Sequence, residues 1–416
     1  MESRTVPSLW HNREFNLLWT SQTLSDLGAT IAQLAVPLLV LEVTGSPVQA
    51  GAVGTAAQVA KLACRLPAGV LADQINRRTA LLACDVVRLI AFAALAVAVV
   101  TGHANLATII VVAVIDAVCG AFFNTTEHAA LRSLVSEPHL PAAVARNEAR
   151  SYGASLAGPP LGGLLFGITH ALPFVGNAVS YLASLLGVAL IRKPMQTSRE
   201  RPGSHLAALT EGLRFVFTNP FLRSVLIIAA PLNFALTGTI FTIIVTLQDH
   251  GTAPGVIGLT ETIVGVGGLL GALAAPALCR WLPFARLIRS LCWAAFALLA
   301  VSALPQIGVA TAAPVAAAVF AGPACNAALF AHQAAITPDV LQGRVLSVIF
   351  MAAMSAAAAA PILAGFLVTT GGARLAILVF AAAVAVSAVT ATLAPALRSL
   401  SYSPVSRCET TSSPDR

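Results

Sequence analysis

Twelve apolar stretches, each about as long as a lipid bilayer is thick, leave this chain few folds to choose from. They fall at approximately 16–42, 48–72, 79–101, 104–127, 147–169, 171–191, 221–247, 254–280, 284–306, 310–331, 343–370 and 373–396. A helix needs roughly 20 apolar residues to cross the hydrocarbon core, where it satisfies its own backbone hydrogen bonds. Charge agrees with this: 10% of the residues are charged, against about 25% in soluble domains. The expectation is an all-α integral membrane protein with twelve transmembrane helices. The first 14 residues are polar and carry no cleavage pattern, so the first apolar run is expected to be its own insertion signal.

The net charge of +7 does not point to nucleic acid, because its distribution follows the runs. Of the 24 lysines and arginines, Lys61, Arg65 and Arg88 lie within runs, Arg374 alone falls on one face, and the remaining twenty share the face of the termini. Basic loops stay in the cytoplasm. Both termini are therefore expected inside a plasma (inner) membrane. Residues 192–220 form the longest polar interval, whose later part, Leu206 to Phe217, has the apolar spacing of an interfacial helix. The expected division is 1–191 as one six-helix half, 192–220 as a cytoplasmic linker, 221–397 as a second half and 398–416 as a disordered tail.

Between the second and third runs stands Gly69-Val70-Leu71-Ala72-Asp73-Gln74-Ile75-Asn76-Arg77-Arg78. Gly69 permits close helix approach. Asp73 is placed to cap the next helix, Asn76 tolerates left-handed dihedrals, and Arg77 and Arg78 hold the turn at an anionic surface. The fifth run contains Ala154-Ser155-Leu156-Ala157-Gly158-Pro159-Pro160-Leu161-Gly162-Gly163. Its small residues allow backbone contact between helices, and its prolines remove amide donors and bend the run.

Ionisable residues at depth are costly and face a partner or a wet cavity. Asp26 lies about 15 Å along the first helix, one turn from Gln22, and reads either as a proton or cation site or as a hydrogen-bond anchor. Asp116 and Glu261 lie at similar depth in the fourth and eighth runs, and Lys61 sits too deep to snorkel. Asp85 and Arg88, at i and i+3, are expected to pair with each other near the Asp73 turn. The seven cysteines are scattered singly, without metal-ligand spacing, and read as small apolar fillers. No phosphate-binding loop or metal cluster is visible, and no cofactor is expected.

The second half repeats the first at offsets of 202 to 207. Asn12-Arg13-Glu14-Phe15 recurs at Asn219-Pro220-Phe221-Leu222, Gly45 and Gly54 at Gly251 and Gly258, His128 at His332, and Gly158–Gly163 at Ala360–Gly365. Such offsets mark parallel six-helix repeats.

These features together resemble the major facilitator superfamily over all twelve runs. Gly69 to Arg78 is similar to its loop 2–3 signature, except for Asn76 where the family has Gly. Gly158-Pro159-Pro160-Leu161-Gly162-Gly163 is similar to its antiporter motif, except that Ala154 replaces a Gly. Thr44-Gly45-Ser46, the Asp73 loop and Asn219-Pro220-Phe221 look most like the enterobactin-exporter and macrolide-efflux branch of drug:proton antiporters. The resemblance implies two pseudo-symmetric six-helix bundles and export of a drug, antibiotic or siderophore-like metabolite against inward proton flow by alternating access. A monomer embedded in the lipid bilayer is expected, with helices 1, 4, 7 and 10 lining the cavity. Asp26 then stands first as the proton-coupling acid, with Asp116 and Glu261 behind it. Full pairing of Asp26 with a basic side chain would move the assignment to Glu261 or Asp116. Lys61, Gln22 and Gln33 are candidate substrate or counter-ion contacts. Gly69, Asp73, Arg77, Arg78, Asp85 and Arg88 form the expected cytoplasmic gate. A metabolite importer, or a membrane sensor or enzyme without flux, are the competing readings.

Overall fold

The computed structural model describes residues 9–195, 205–304, 309–338 and 341–395. Six helices open the fold: α1 (Arg13–Thr44), α2 (Pro47–Gln74), α3 (Arg77–Val100), α4 (Leu106–Leu134), α5 (Leu140–Ile168) and α6 (Leu172–Leu190). A short amphipathic helix, α7 (His205–Thr218), follows. The remainder forms α8 (Pro220–Asp249), α9 (Pro254–Trp281), α10 (Phe284–Ser302), α11 (Ala312–Ile336), α12 (Gln342–Ala358) and α13 (Ala360–Leu393). Inside α13, Gly372 adopts φ 76° and ψ 171°. That conformation is open to glycine and reverses the chain, so α12 with the first part of α13 makes one crossing and the rest of α13 makes the last.

Among the described residues, nine helical stretches are long and apolar enough to cross a membrane, one of them the doubled Arg344–Leu393. The remaining two crossings, α2 and α5, carry the charged side chains described below. The architecture is thus twelve crossings in two pseudo-symmetric six-helix bundles.

Helix ends are set by local chemistry that recurs in both halves. Asn12 caps α1 by accepting from the Phe15 amide, and Asn219 caps α8 by accepting from the Phe221 and Leu222 amides. At the other ends of the same two helices, Gly45 and Gly251 take φ 61° and 70°. The expected cap of α3 is corrected. Helix α2 continues through Asp73 to Gln74, and Asn76 caps α3 by accepting from the Arg78 and Thr79 amides, in extended backbone and not a left-handed one. The side chains of Gly69 to Gln74 lie outside the described residues.

Packing within the halves follows one pattern. α1 packs on α5 and α6, α2 on α4, and α3 on α4 and α6; α8 packs on α12 and α13, α9 on α11, and α10 on α11 and α13. Two seams join these groups, α5 with α9 and α2 with α13. Both seams lie at the end of the bundle opposite the termini, and both use the same short pattern. Pro47 and Gly51, Pro159 and Gly163, Pro254 and Gly258, and Pro361 and Gly365 are each four residues apart. Gly51 rests on the Pro361 carbonyl and Gly365 on the Pro47 carbonyl; Gly163 rests on the Pro254 carbonyl and Gly258 on the Pro159 carbonyl. A methyl group at any of the four glycines would collide with backbone. Lipid-embedded helices gain little from the hydrophobic effect and associate through such close backbone contact, including Cα–H···O contacts. By contact, the counterpart of Gly258 is Gly51, and not the Gly54 that spacing alone suggests.

Candidate functional site

Between these seams and the termini end lies a cavity of about 530 Å³. Its walls come from α1, α2, α3, α4 and α8, with Glu261 from α9 and Pro361 from α13. Helices α1, α4 and α8 were expected there; α11, the tenth crossing, contributes no described lining residue, and α2 takes part instead. Apolar surface comes from side chains such as Val36, Val53, Phe92, Phe123, Phe241 and Ile244.

The polar lining is concentrated in the first half. Gln22, Asp26 and Gln33 face the cavity from α1, Lys61 from α2, Arg88 from α3, and Asp116, Asn124 and Glu127 from α4. Three of these acids are neutralised by buried arginines. Arg150 of α5 places Nε 2.9 Å from Asp26 Oδ2 and Nη1 2.9 Å from Glu127 Oε1. One guanidinium thus bridges α1, α4 and α5, with two acids sharing a single cation. Arg88 Nε lies 3.2 Å from Asp116 Oδ1, and the Tyr181 hydroxyl donates to the same carboxylate oxygen at 2.7 Å. The Arg88 guanidinium also stacks over the Tyr181 ring, 4.8 Å from its centroid.

Several expectations change here. Asp26 is paired with a basic side chain, so its first rank among coupling acids is withdrawn. Arg150, counted by sequence among the loop charges, is a buried residue of α5 and the pivot of the cluster. The signal was present, since the residue falls inside the apolar run beginning at 147 and eight positions before Gly158. Arg88 does not pair with Asp85: it turns across to Asp116, away from the α2–α3 turn, and lines the cavity. Asp85 is fully buried and accepts from Ser184 at 2.6 Å, while Ser184 accepts from the Gln22 amide at 2.8 Å.

Glu261 and Lys61 differ from the rest. Both line the cavity, and among the described residues neither has an ion pair or a side-chain hydrogen bond. Glu261 is half-buried, and its neighbours on α9 are fastened to α5. Gly258 sits on the Pro159 carbonyl, and the Thr262 hydroxyl donates to the Leu156 carbonyl at 3.2 Å.

The α2–α3 turn is held from its basic side. Arg77 Nη1 donates to the Ala129 carbonyl at 3.1 Å, to Ser133 Oγ at 3.3 Å and to the Met195 carbonyl at 3.1 Å. Arg78 donates to the Ala189 carbonyl at the end of α6. Three of the partners belong to the first half and Met195 follows α6, so these arginines tie α3 to α4 and to the exit of α6. On the antiporter-like segment of α5, Gly158 packs against Thr30 and Gly162 against the Ile31 backbone of α1, while Pro159 and Gly163 face α9. Ala154 offers its carbonyl to the Thr30 hydroxyl at 3.0 Å. Pro160 lies against Gly258, so this segment serves two interfaces at once.

Comparison with known proteins agrees with this architecture. The chain is 26% identical over 387 residues to the multidrug efflux pump Tap of Mycolicibacterium fortuitum, covering 90% of this chain and 93% of that protein. It is likewise 26% identical over 408 residues to Tap of Mycobacterium tuberculosis, covering 93% and 95%. Among solved structures, a bacterial homologue of the iron transporter ferroportin in an inward-facing state superposes with a TM-score of 0.75 at 16% identity, covering 95% of this chain and 100% of that one. A bacterial homologue of the human lysosomal transporter Spinster, inward-facing and unoccupied, gives 0.72 at 15%, covering 96% and 100%. The family described as transmembrane secretion effector matches residues 7–409. The chain therefore belongs to the transmembrane secretion effector family of major facilitator transporters.

Proposed function

We propose that this protein exports small organic molecules by exchanging them for protons through alternating access, with Glu261 as the coupling acid. The observation that carries the reading is the position of Glu261: an acid without a counter-ion among the described residues, facing the cavity and one turn from the glycine that closes the α5–α9 seam. A carboxylate so placed is cheap to neutralise and expensive to leave charged, so a proton and a substrate compete for it. Asp26, Glu127 and Asp116 already hold arginines and shape the cavity wall. With the far end sealed by glycine–proline contacts, the present arrangement is the one that loads from the side of the termini. Tilting the halves to part those seams would expose Glu261 to the other side, where it takes up a proton and releases substrate. The efflux activity named for Tap supports outward transport, and the basic segments support a plasma membrane with both termini cytoplasmic. A monomer suffices, since the cavity is built from one chain.

The test uses protein reconstituted in vesicles under an imposed proton gradient and a panel of fluorescent organic compounds. Gradient-driven movement against the concentration difference is expected for the parent and lost in Glu261→Gln, while downhill exchange persists. Concentrative transport by Glu261→Gln at the parental rate would rule out this assignment.

A further inference from the structure

We propose that Asp85 carries a proton in this conformation and that Arg88 governs it, pairing with Asp116 in this state and turning to Asp85 when that carboxyl ionises. The proposal adds a second proton-carrying group to the transport cycle and rests on that cycle for its purpose, though not for its test.

Asp85 is 0% exposed, and among the described residues its Oδ1 has no hydrogen-bond partner. Its other oxygen accepts from Ser184, which is also the acceptor for Gln22. Ser184 has one hydroxyl proton, and it is spent on Asp85. A single neutral donor does not hold a buried carboxylate, since an ionised group without a hydrogen-bonded counter-ion costs several kcal/mol. As a neutral acid the side chain keeps a carbonyl oxygen that accepts from Ser184 and leaves one hydroxyl, on Oδ1, without a partner, a smaller cost than an uncompensated buried charge.

The cation able to change this is three residues away on the same helix face. Arg88 is drawn to Asp116, yet its Nε is not aligned for a hydrogen bond despite the 3.2 Å separation. Its Nη2 reaches the Asp116 backbone carbonyl only at 3.4 Å. The guanidinium is therefore held by charge, by that one long hydrogen bond and by the Tyr181 and Phe123 rings, without the two-point carboxylate grip that Arg150 has. Such a side chain can change partner by side-chain rotation alone, because Asp85 and Asp116 flank it from α3 and α4.

The groups acting on this pair come from every neighbouring helix. Cys84 lies on α3, Asp116, Cys119 and Glu127 on α4, and Tyr181 and Ser184 on α6; Asp26 of α1 and Lys61 of α2 act on Arg88. The cations in this set are Arg88 and Lys61. Movement of Arg88 from Asp116 to Asp85 would expel the Asp85 proton to the cavity, on the side where Ser184 and Gln22 link Asp85 to its wall, and leave Asp116 facing the cavity with only the Tyr181 hydroxyl as donor. The half-bundle thereby loses one positive charge, that of the departing proton, and the negative charge uncovered is that of Asp116 on the substrate's path.

Infrared spectroscopy of the purified protein in lipid nanodiscs reads the proton directly, through the carbonyl band of an un-ionised carboxyl. At neutral pH the parent should show such a band, and Asp85→Asn, which keeps shape and mimics the neutral form, should lack it. Ser184→Ala should shift the band without removing it, because the hydroxyl donated to that carbonyl is gone. Asp116→Asn should remove it, because Arg88 is released to Asp85. An unchanged spectrum in Asp85→Asn overturns the proposal, and so does a band that ignores Ser184→Ala or Asp116→Asn. Glu261→Gln separates the two readings: it is expected to keep the Asp85 component while gradient-driven transport is lost.

Discussion

Arg150 approaches Asp26 through Nε and Glu127 through Nη1, both at 2.9 Å, so one cation on α5 holds two acids from α1 and α4. The Arg150 side chain is 6% exposed. Removing it would leave two like charges facing each other in a poorly solvated wall. Arg150→Gln should therefore cost about 3–5 kcal/mol. The double variant Arg150→Gln with Glu127→Gln should recover much of that loss. Thermal unfolding in detergent measures both. Equal melting temperatures for parent and single variant would show that the triad is not structural.

Asp26→Asn makes a different case. The asparagine still accepts from Arg150, and Glu127 still neutralises it. Gradient-driven transport is expected to survive at a reduced rate, in contrast to its loss in Glu261→Gln. Vesicle transport assays on the two variants side by side rank the acids, and loss in Asp26→Asn with retention in Glu261→Gln would put Asp26 ahead of Glu261.

Gly258 and Gly163 seat α9 and α5 on each other's proline carbonyls. Gly258→Leu should force the helices apart, destabilise the fold by about 1–3 kcal/mol and abolish transport. Gly153 lies on the same α5, exposed, with nothing within 4 Å of an added methyl group. Gly153→Ala should be neutral or stabilise by up to about 1 kcal/mol through helix propensity. Melting curves for the pair provide the check.

Asn76 and Arg77 secure the start of α3 in separate ways, one by capping and one by bridging. Asn76→Ala should cost about 1 kcal/mol as a lost cap. Arg77→Ala leaves two backbone carbonyls and one hydroxyl without a charged donor and should cost about 1–3 kcal/mol. Both losses fall within the first half, so hydrogen exchange should rise in α3 and α4 while α10 and α11 stay protected.

Orientation is open to direct labelling. In a background without native cysteines, Thr218→Cys and Gly372→Cys are expected to react with an impermeant thiol reagent from opposite sides. In intact cells the label should appear at position 372 and be absent at 218. Labelling at 218 would invert the topology.

Much of the architecture was legible because lipid imposes so few choices. Twelve apolar runs, asparagines before α1 and α8, and left-handed glycines after them follow from local rules. The misreadings arose where a helix runs past its apolar stretch or where a partner distant in sequence decides the outcome. Asp73 looks like a cap until α2 is seen to continue two residues past the expected end, because nothing between Gly69 and Gln74 stops a helix. Asp85 and Arg88 have the spacing of a pair, yet Asp116 and Tyr181 approach from α4 and α6 and take the arginine. Pro159 and Gly163 announced a packing site on α5, but only folding shows that Pro254 and Gly258 answer it from α9.

At the four seats of glycine on proline carbonyl the nearest atoms are backbone, and beside them each seam carries a threonine hydroxyl, Thr55 accepting from the Ile362 amide and Thr262 donating to the Leu156 carbonyl. A closure built this way has nothing to titrate and nothing to oxidise. Its strength depends on little except separation, so it yields over a fraction of an ångström and re-forms without searching for a register. It is therefore a shutter without a sensor. Whatever decides when it opens has to be read elsewhere, from the charges around the cavity, which makes the two tasks separable by mutation and free to vary independently as substrates change.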